Sequence, residues 1–163
     1  MADMLTGVAE IDDDAMKGRF LTFLIDKEIF GIEIRHVMEI VGIQKITEMP
    51  EMPDYIRGII NLRGKIIPIM DVRLRFKKPG KDYTDRTCVI VIDFDGTSFG
   101  LIVDSVSEVL AMREEDIAPP PEMGQGGHKY IRGIGKAGGS VKLLLDCQKL
   151  LTDEGAETLR APA

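Results

Sequence analysis

Two histidines and two cysteines among 163 residues leave little material for metal binding or for nucleophilic catalysis. His36 lies in an apolar block and His128 in a glycine-rich stretch. Neither sits in a cluster with metal-ligand spacing, and no serine or cysteine stands on a nucleophile elbow. Cys88 and Cys147 fall inside apolar runs without a Cys-x-x-Cys spacing, which reads as buried thiols of a reducing compartment; a disulfide between them has nothing to support it. An excess of basic charge is also missing. The formal net charge is -6, so no general phosphate-neutralising face exists and nucleic acid is not an expected partner. No apolar run reaches membrane-spanning length, and the first fourteen residues carry five acids and no base, unlike a secretory leader. A cytoplasmic protein without membrane insertion is expected.

What is present is a texture of short apolar runs broken by Gly, Pro and Asp. RFLTFLID (19–26), EIFGIEI (28–34), YIRGIINL (55–62), GKIIPIMDV (64–72), TCVIVIDF (87–94), SFGLIVD (98–104), YIRGIG (130–135) and SVKLLLD (140–146) read as strands. Asp95-Gly96, Arg63-Gly64 and Gly138-Gly139 are hairpin signals between them, since a tight primed turn needs positive φ at its centre. Connections this short favour antiparallel strands in a small closed sheet over an α/β layering. Val37, Ile40 and Val41, and again Val106, Val109 and Leu110, step by three or four and suit either a short helix or a strand entry. Asp146 is placed to cap a last helical turn carrying Leu150 and Leu151, with Gly155 as its stop. Residues 1–17 read as a mobile leader and 153–163 as a frayed tail.

An internal repeat organises the rest. FGIEIRHVMEIV (30–41) matches FGLIVDSVSEVL (99–110) at a constant offset of 69, sharing Phe-Gly, a valine and a glutamate. YIRGI at 55–59 recurs at 130–134, an offset of 75, and both copies end a later strand on aspartate, Asp71 and Asp146. The offset grows where the second copy holds the Pro/Gly-rich APPPEMGQGGHK.

Enzyme-like strings fail in this context. Gly133-Ile-Gly135-Lys-Ala-Gly138 should open a long helix to hold a dinucleotide, but a strand follows. Gly58 to Lys65 has one residue too many for a phosphate loop, and Ile66 stands where Ser or Thr must reach the metal. Asp93-Phe-Asp95-Gly96 lacks the remaining ligands of a calcium loop. No catalytic, cofactor or metal residues are expected. Residues 57–78 carry seven bases (Arg57, Arg63, Lys65, Arg73, Arg75, Lys77, Lys78) against Asp71 alone, which reads first as a solvated barrel face, second as a surface for an acidic protein and a distant third as one for nucleic acid.

With YIRGIINLRGKIIPIMDVR at its centre, FGIEIRHVMEI upstream, FGLIVDSVSEVL beyond it and IAPPPEM downstream, the chain resembles the CheW family of bacterial chemotaxis coupling proteins over about residues 18–152. The resemblance implies a mainly β fold of two five-stranded SH3-like β-barrels packed on each other with a few short helices. The first barrel would span about 18–84 and the second about 85–152. It implies a non-enzymatic adaptor without cofactors, monomeric when free. In the family such a protein joins the cytoplasmic tip of methyl-accepting chemoreceptors to the regulatory domain of the histidine kinase CheA, in arrays at the inner face of the membrane. The positions that match the family's receptor surface are Val37, Glu39, Asn61, Leu62, Arg63, Gly64, Val106 and Val109. Those matching its kinase contact are Ile117, Glu122 and Met123, where Met123 replaces a frequent aromatic and Ala118 stands where a base occurs. A coupling adaptor of a paralogous chemosensory pathway, serving surface motility or another output, is the nearest alternative. A small β-barrel ligand-binding protein is the more distant one.

Overall fold

The computed structural model describes residues 17–121 and 129–152. Eleven strands dominate it among these residues: β1 Arg19–Ile25, β2 Glu28–Glu33, β3 Val37–Gly42, β4 Ile56–Leu62, β5 Lys65–Asp71, β6 Cys88–Phe94, β7 Thr97–Val103, β8 Ser105–Ala111, β9 Ile117–Ala118, β10 Ile131–Gly135 and β11 Lys142–Leu145. Two short helices follow the aspartates that end β5 and β11: α1 Val72–Arg75 and α2 Cys147–Thr152. Asp71 accepts from the backbone N–H of Arg73 at 2.9 Å and Asp146 from that of Lys149 at 3.1 Å, so both recurrent aspartates are helix caps, the role the sequence suggested for Asp146. Gly155 lies outside the described residues.

The strands form two barrels, one from a sheet in the order β8-β1-β2-β11-β10-β9 and one from β3-β6-β7-β5-β4. The sixth strand of the first sheet, β9, is only two residues long, and its counterpart in the other sheet is the isolated bridge between Thr47 and Ile59. Each barrel draws on both copies of the repeat. β1 and β2 of the first copy pair with β8 and β11 of the second, while β6 and β7 of the second pair with β3 and β5 of the first. The expected division at about 84/85 therefore cuts across both sheets. A boundary along the sequence cannot separate the barrels, because the chain leaves one barrel after β2, completes the other with β3 to β7, and returns at β8.

Exchange of strands explains the apolar texture. A central core between the sheets holds Phe23, Ile25, Phe30, Ile32, Met70, Ile90, Ile92, Phe99, Leu101 and Leu145. One barrel interior holds Ile60, Ile67, Ile69, Val89, Val91 and Ile102, and the other Phe20, Met112 and Leu144. Strands such as β6 thus bury both faces and read as unbroken apolar runs instead of alternating ones. The recurrent Phe-Gly has a steric reason: Gly31 lies opposite Leu144 and Gly100 opposite Ile69 in the two parallel pairings, and a Cβ on either glycine would meet that side chain at 2.9 and 2.6 Å. The two segments that suited helix or strand are strands, β3 and β8, each at a sheet edge.

Candidate functional site

Arg63 and Gly64 occupy the two central positions of the β4–β5 hairpin with φ of 53° and 89°, as the turn chemistry predicted. Asn61 fixes the loop by accepting from the Gly64 N–H at 2.8 Å through Oδ1. Arg63 then reaches across to Glu39 on β3 and forms a salt bridge. β3 and β4 are the opposite edges of one sheet, so this pair spans the barrel mouth. Arg63 remains 68% exposed in its side chain, which leaves much of the guanidinium open to a second carboxylate. Leu62 packs partly into the barrel interior, and Lys65 donates to Ser98 Oγ at 2.8 Å.

Five of the eight expected receptor positions thus converge: Glu39, Asn61, Leu62, Arg63 and Gly64. Val37 and Val106, equivalent in the repeat, both half-bury against the central core. Val109 instead faces solvent at 48% exposure on β8, as its repeat mate Ile40 does at 43% on β3, beside Met38 at 53%. Of the expected kinase positions, Ile117 pairs with Gly135 in β9 and packs against Phe20, Met112 and Leu144. Glu122 and Met123 lie outside the described residues, as does His128.

The supposed basic face is broken up by burial. Arg73 is 7% exposed; its Nη1 donates to Asp26 Oδ1 at 2.7 Å and to Asp104 Oδ2 at 2.9 Å, and its Nε to the Pro79 carbonyl at 3.0 Å. The hydrogen bond from Arg73 holds the Asp26 carboxyl below its usual range, and the same bond raises Arg73. This cluster ties the β1–β2 turn to α1 and to the β7–β8 junction. Arg75, 8% exposed, is held between the rings of Tyr55 and Tyr130 at 4.2 and 4.3 Å from their centroids. Both tyrosines open the YIRGI string, so its recurrence was the one signal that something bridges the two copies. Lys78 pairs with Glu28 at 2.6 Å. Among the seven bases, Arg57, Arg63, Lys65 and Lys77 are exposed.

Both cysteines are free thiols. Burial pushes Cys147 up to about 12, with Asp146 adding to the effect, so it is a packing residue. His36 stacks edge-on to Phe94 at 5.0 Å, and burial holds it below the usual histidine range, with Arg35 reinforcing the shift. Gly133 and Gly135 belong to β10 and Gly138-Gly139 to the turn before β11, so the GxGxxG string is a hairpin.

Comparison with known proteins gives this site a context. The family model described as a CheW-like domain matches residues 19–155. Chemotaxis protein CheW of Klebsiella aerogenes is 38% identical over 155 residues, covering 94% of this chain and 93% of that protein. Protein FrzA of Myxococcus xanthus is 27% identical over 135 residues, covering 81% and 84%. In the crystal structure of the scaffolding protein TtCheW from Thermoanaerobacter tengcongensis the same fold recurs, with a TM-score of 0.78 and 34% identity over 85% of this chain and 94% of that one. A double barrel with an ion-paired turn at its mouth, matched over most of its length by these proteins, belongs to the CheW-like domain family.

Proposed function

We propose that the chain is a non-enzymatic coupling adaptor of a chemotaxis system, holding the cytoplasmic tip of chemoreceptors against the regulatory domain of the histidine kinase CheA. The observation that carries the receptor half is the Glu39–Arg63 pair across the barrel mouth. A receptor tip is a helical hairpin with an apolar stripe flanked by charge. Val37, Leu62, Val106 and Val109 offer apolar contact, and Arg63, already oriented by Glu39, keeps donors for a receptor carboxylate. Preorganisation lowers the entropy lost when the partner arrives. The kinase half is assigned to Ile117, at the edge of the other barrel, together with Glu122 and Met123, which follow it in sequence. No helix among the described residues is long and apolar enough to cross a membrane. In this reading the adaptor is a cytoplasmic monomer that reaches the membrane through the receptor array.

Pull-down of the Arg63→Asp variant with a receptor tip fragment and, separately, with the kinase regulatory domain tests the assignment. Receptor recruitment is lost and kinase binding is retained; unchanged receptor binding refutes it. Similarity to FrzA favours a second reading, an adaptor of a paralogous chemosensory pathway. The receptor and kinase genes beside its own gene separate the two.

A further inference from the structure

A cleft lined by residues of both copies lies at the capped end of each copy's last strand, and one of the two is filled. The first is lined by Asp71, Arg73, Ile102 and Asp104 and is closed by the chain's own residues 81–84, leaving about 20 Å³. Tyr83 fills it. Its hydroxyl donates to Asp71 Oδ2 at 3.1 Å, while Asp71 Oδ1 serves the helix cap. Arg57 also reaches the phenol. Burial and the Asp71 charge push Tyr83 up to about 12, so it stays a donor at any ordinary pH.

The second cleft is lined by Glu33, Arg35, Asp146 and Gln148, which stand 69 or 75 places from Ile102, Asp104, Asp71 and Arg73. Here about 230 Å³ is open. Arg132 takes the place of Arg57, 75 residues on, and Phe94, Leu145 and Cys147 also line it. Asp146 repeats the division of labour seen in Asp71: Oδ1 accepts from the Lys149 N–H of the cap, and Oδ2 has no partner among the described residues. Glu33 takes a nitrogen from each of Arg35 and Arg132, and the rest of both guanidiniums is likewise unengaged among the described residues. A phenol acceptor and two arginine forks therefore face a cavity the size of a side chain.

We propose that this open cleft is a docking site for a tyrosine-bearing acidic segment of a partner protein, seated as Tyr83 and its neighbours are seated in the first cleft. The tyrosine hydroxyl donates to Asp146 Oδ2 and a neighbouring carboxylate meets Arg35 or Arg132, as Asp82 and Asp85 would if residues 79–85 were offered to it. The chain's own residues 153–163 contain no aromatic residue and cannot reproduce the contact. This inference goes beyond the receptor and kinase contacts and needs neither.

The test is a titration of the isotope-labelled full chain, followed by NMR, with the capped heptapeptide of residues 79–85 and with the same peptide carrying phenylalanine for its tyrosine. Saturable shifts are expected at Glu33, Arg35, Arg132 and Asp146 to Gln148, with the phenylalanine peptide roughly 10-fold weaker. Asp146→Asn keeps a capping side chain but removes the charge, and is expected to bind the tyrosine peptide roughly 10-fold more weakly. Arg63→Asp leaves the titration unchanged. Shifts located elsewhere, absence of saturation, or equal affinity of the two peptides would overturn the proposal.

Discussion

Replacing Gly58 by alanine is expected to destabilise the fold by about 4 kcal/mol, within a span of about 2 to 6. Gly58 has φ of +140°, and a Cβ there would stand 2.1 Å from the Thr47 carbonyl oxygen, 2.8 Å from its carbon and 3.0 Å from Glu48 Cα. All three are backbone atoms, so no rotamer change relieves the contact. The segment must lift, and Thr47 and Ile59 then lose the two hydrogen bonds they exchange at 2.9 Å each. Each bond contributes about 0.5–1.5 kcal/mol, and the strained φ costs about 1–3 kcal/mol. Gly133 is the same glycine in the second copy and serves as the control. Its nearest neighbour is Ile117 Cγ2 at 2.7 Å, a side-chain methyl, with the Ala118 carbonyl oxygen at 3.3 Å. Ile117 moves at a cost of about 1–2 kcal/mol. Equilibrium unfolding of the two variants in urea measures both values, with equal slopes m showing that the denatured state is unchanged. The corresponding loss in Tm for Gly58→Ala is roughly 8 to 16 °C. Equal losses in the two variants, or a loss below about 1 kcal/mol for Gly58→Ala, would refute the reasoning.

Arg73→Met leaves Asp104 without its buried cation and is expected to cost roughly 2–4 kcal/mol in the same urea assay, whereas a loss under about 0.5 kcal/mol would mean the cluster adds nothing to cohesion. Fragments 17–84 and 85–152 are each expected to lack cooperative unfolding as monomers, and to recover native circular dichroism as a 1:1 complex when mixed; independent folding of either monomer contradicts the strand exchange. His36 is held below its ordinary 6.5, so the unfolded chain takes up its proton first. Stability is then full above about pH 6.5 and declines below it by at most about 1.4 kcal/mol per pH unit, and His36→Gln removes that slope; a variant with the same thermal profile as the parent excludes the histidine as its source.

Much of this fold was readable from local chemistry. Arg63-Gly64 and Gly138-Gly139 advertise their turns because few sequences adopt left-handed backbone cheaply, and Asp71 and Asp146 advertise caps because each closes an apolar strand. The repeat was legible through Phe-Gly and YIRGI, whose glycines answer to specific close contacts. Strand exchange was not legible, because nothing in FGIEIRHVMEI distinguishes pairing with its own copy from pairing with β6, some fifty residues further on. Residues 37–41 stayed ambiguous because valine and isoleucine at 37, 40 and 41 suit a helix face as well as a strand with a bulge, and the bulge between Val37 and Glu39 is a tertiary feature. Arg73 and Arg75 were read as surface charge because their partners are remote: Asp26 and Asp104 lie 47 and 31 residues from Arg73 in sequence. Charge in a sequence shows its sign but not its depth. At the site, the Arg63 turn was visible because the turn itself is local, while its salt bridge to Glu39 and the open second cleft exist only once β3, β10 and β11 have found their places.

The interleaving of the two barrels also bears on mechanics. Two independent domains on a linker would act as a tether, letting bound partners reorient freely. Here the chain crosses between barrels twice, after β2 and after β7, and the Arg73 cluster and the Tyr55–Arg75–Tyr130 stack pin the seam. A ligand gripping the hairpin at residues 61–64 and another gripping the edge at Ile117 would be held at an angle set by the fold. The molecule would serve as a stiff bracket, passing a small rotation of one partner to the other through that pinned seam.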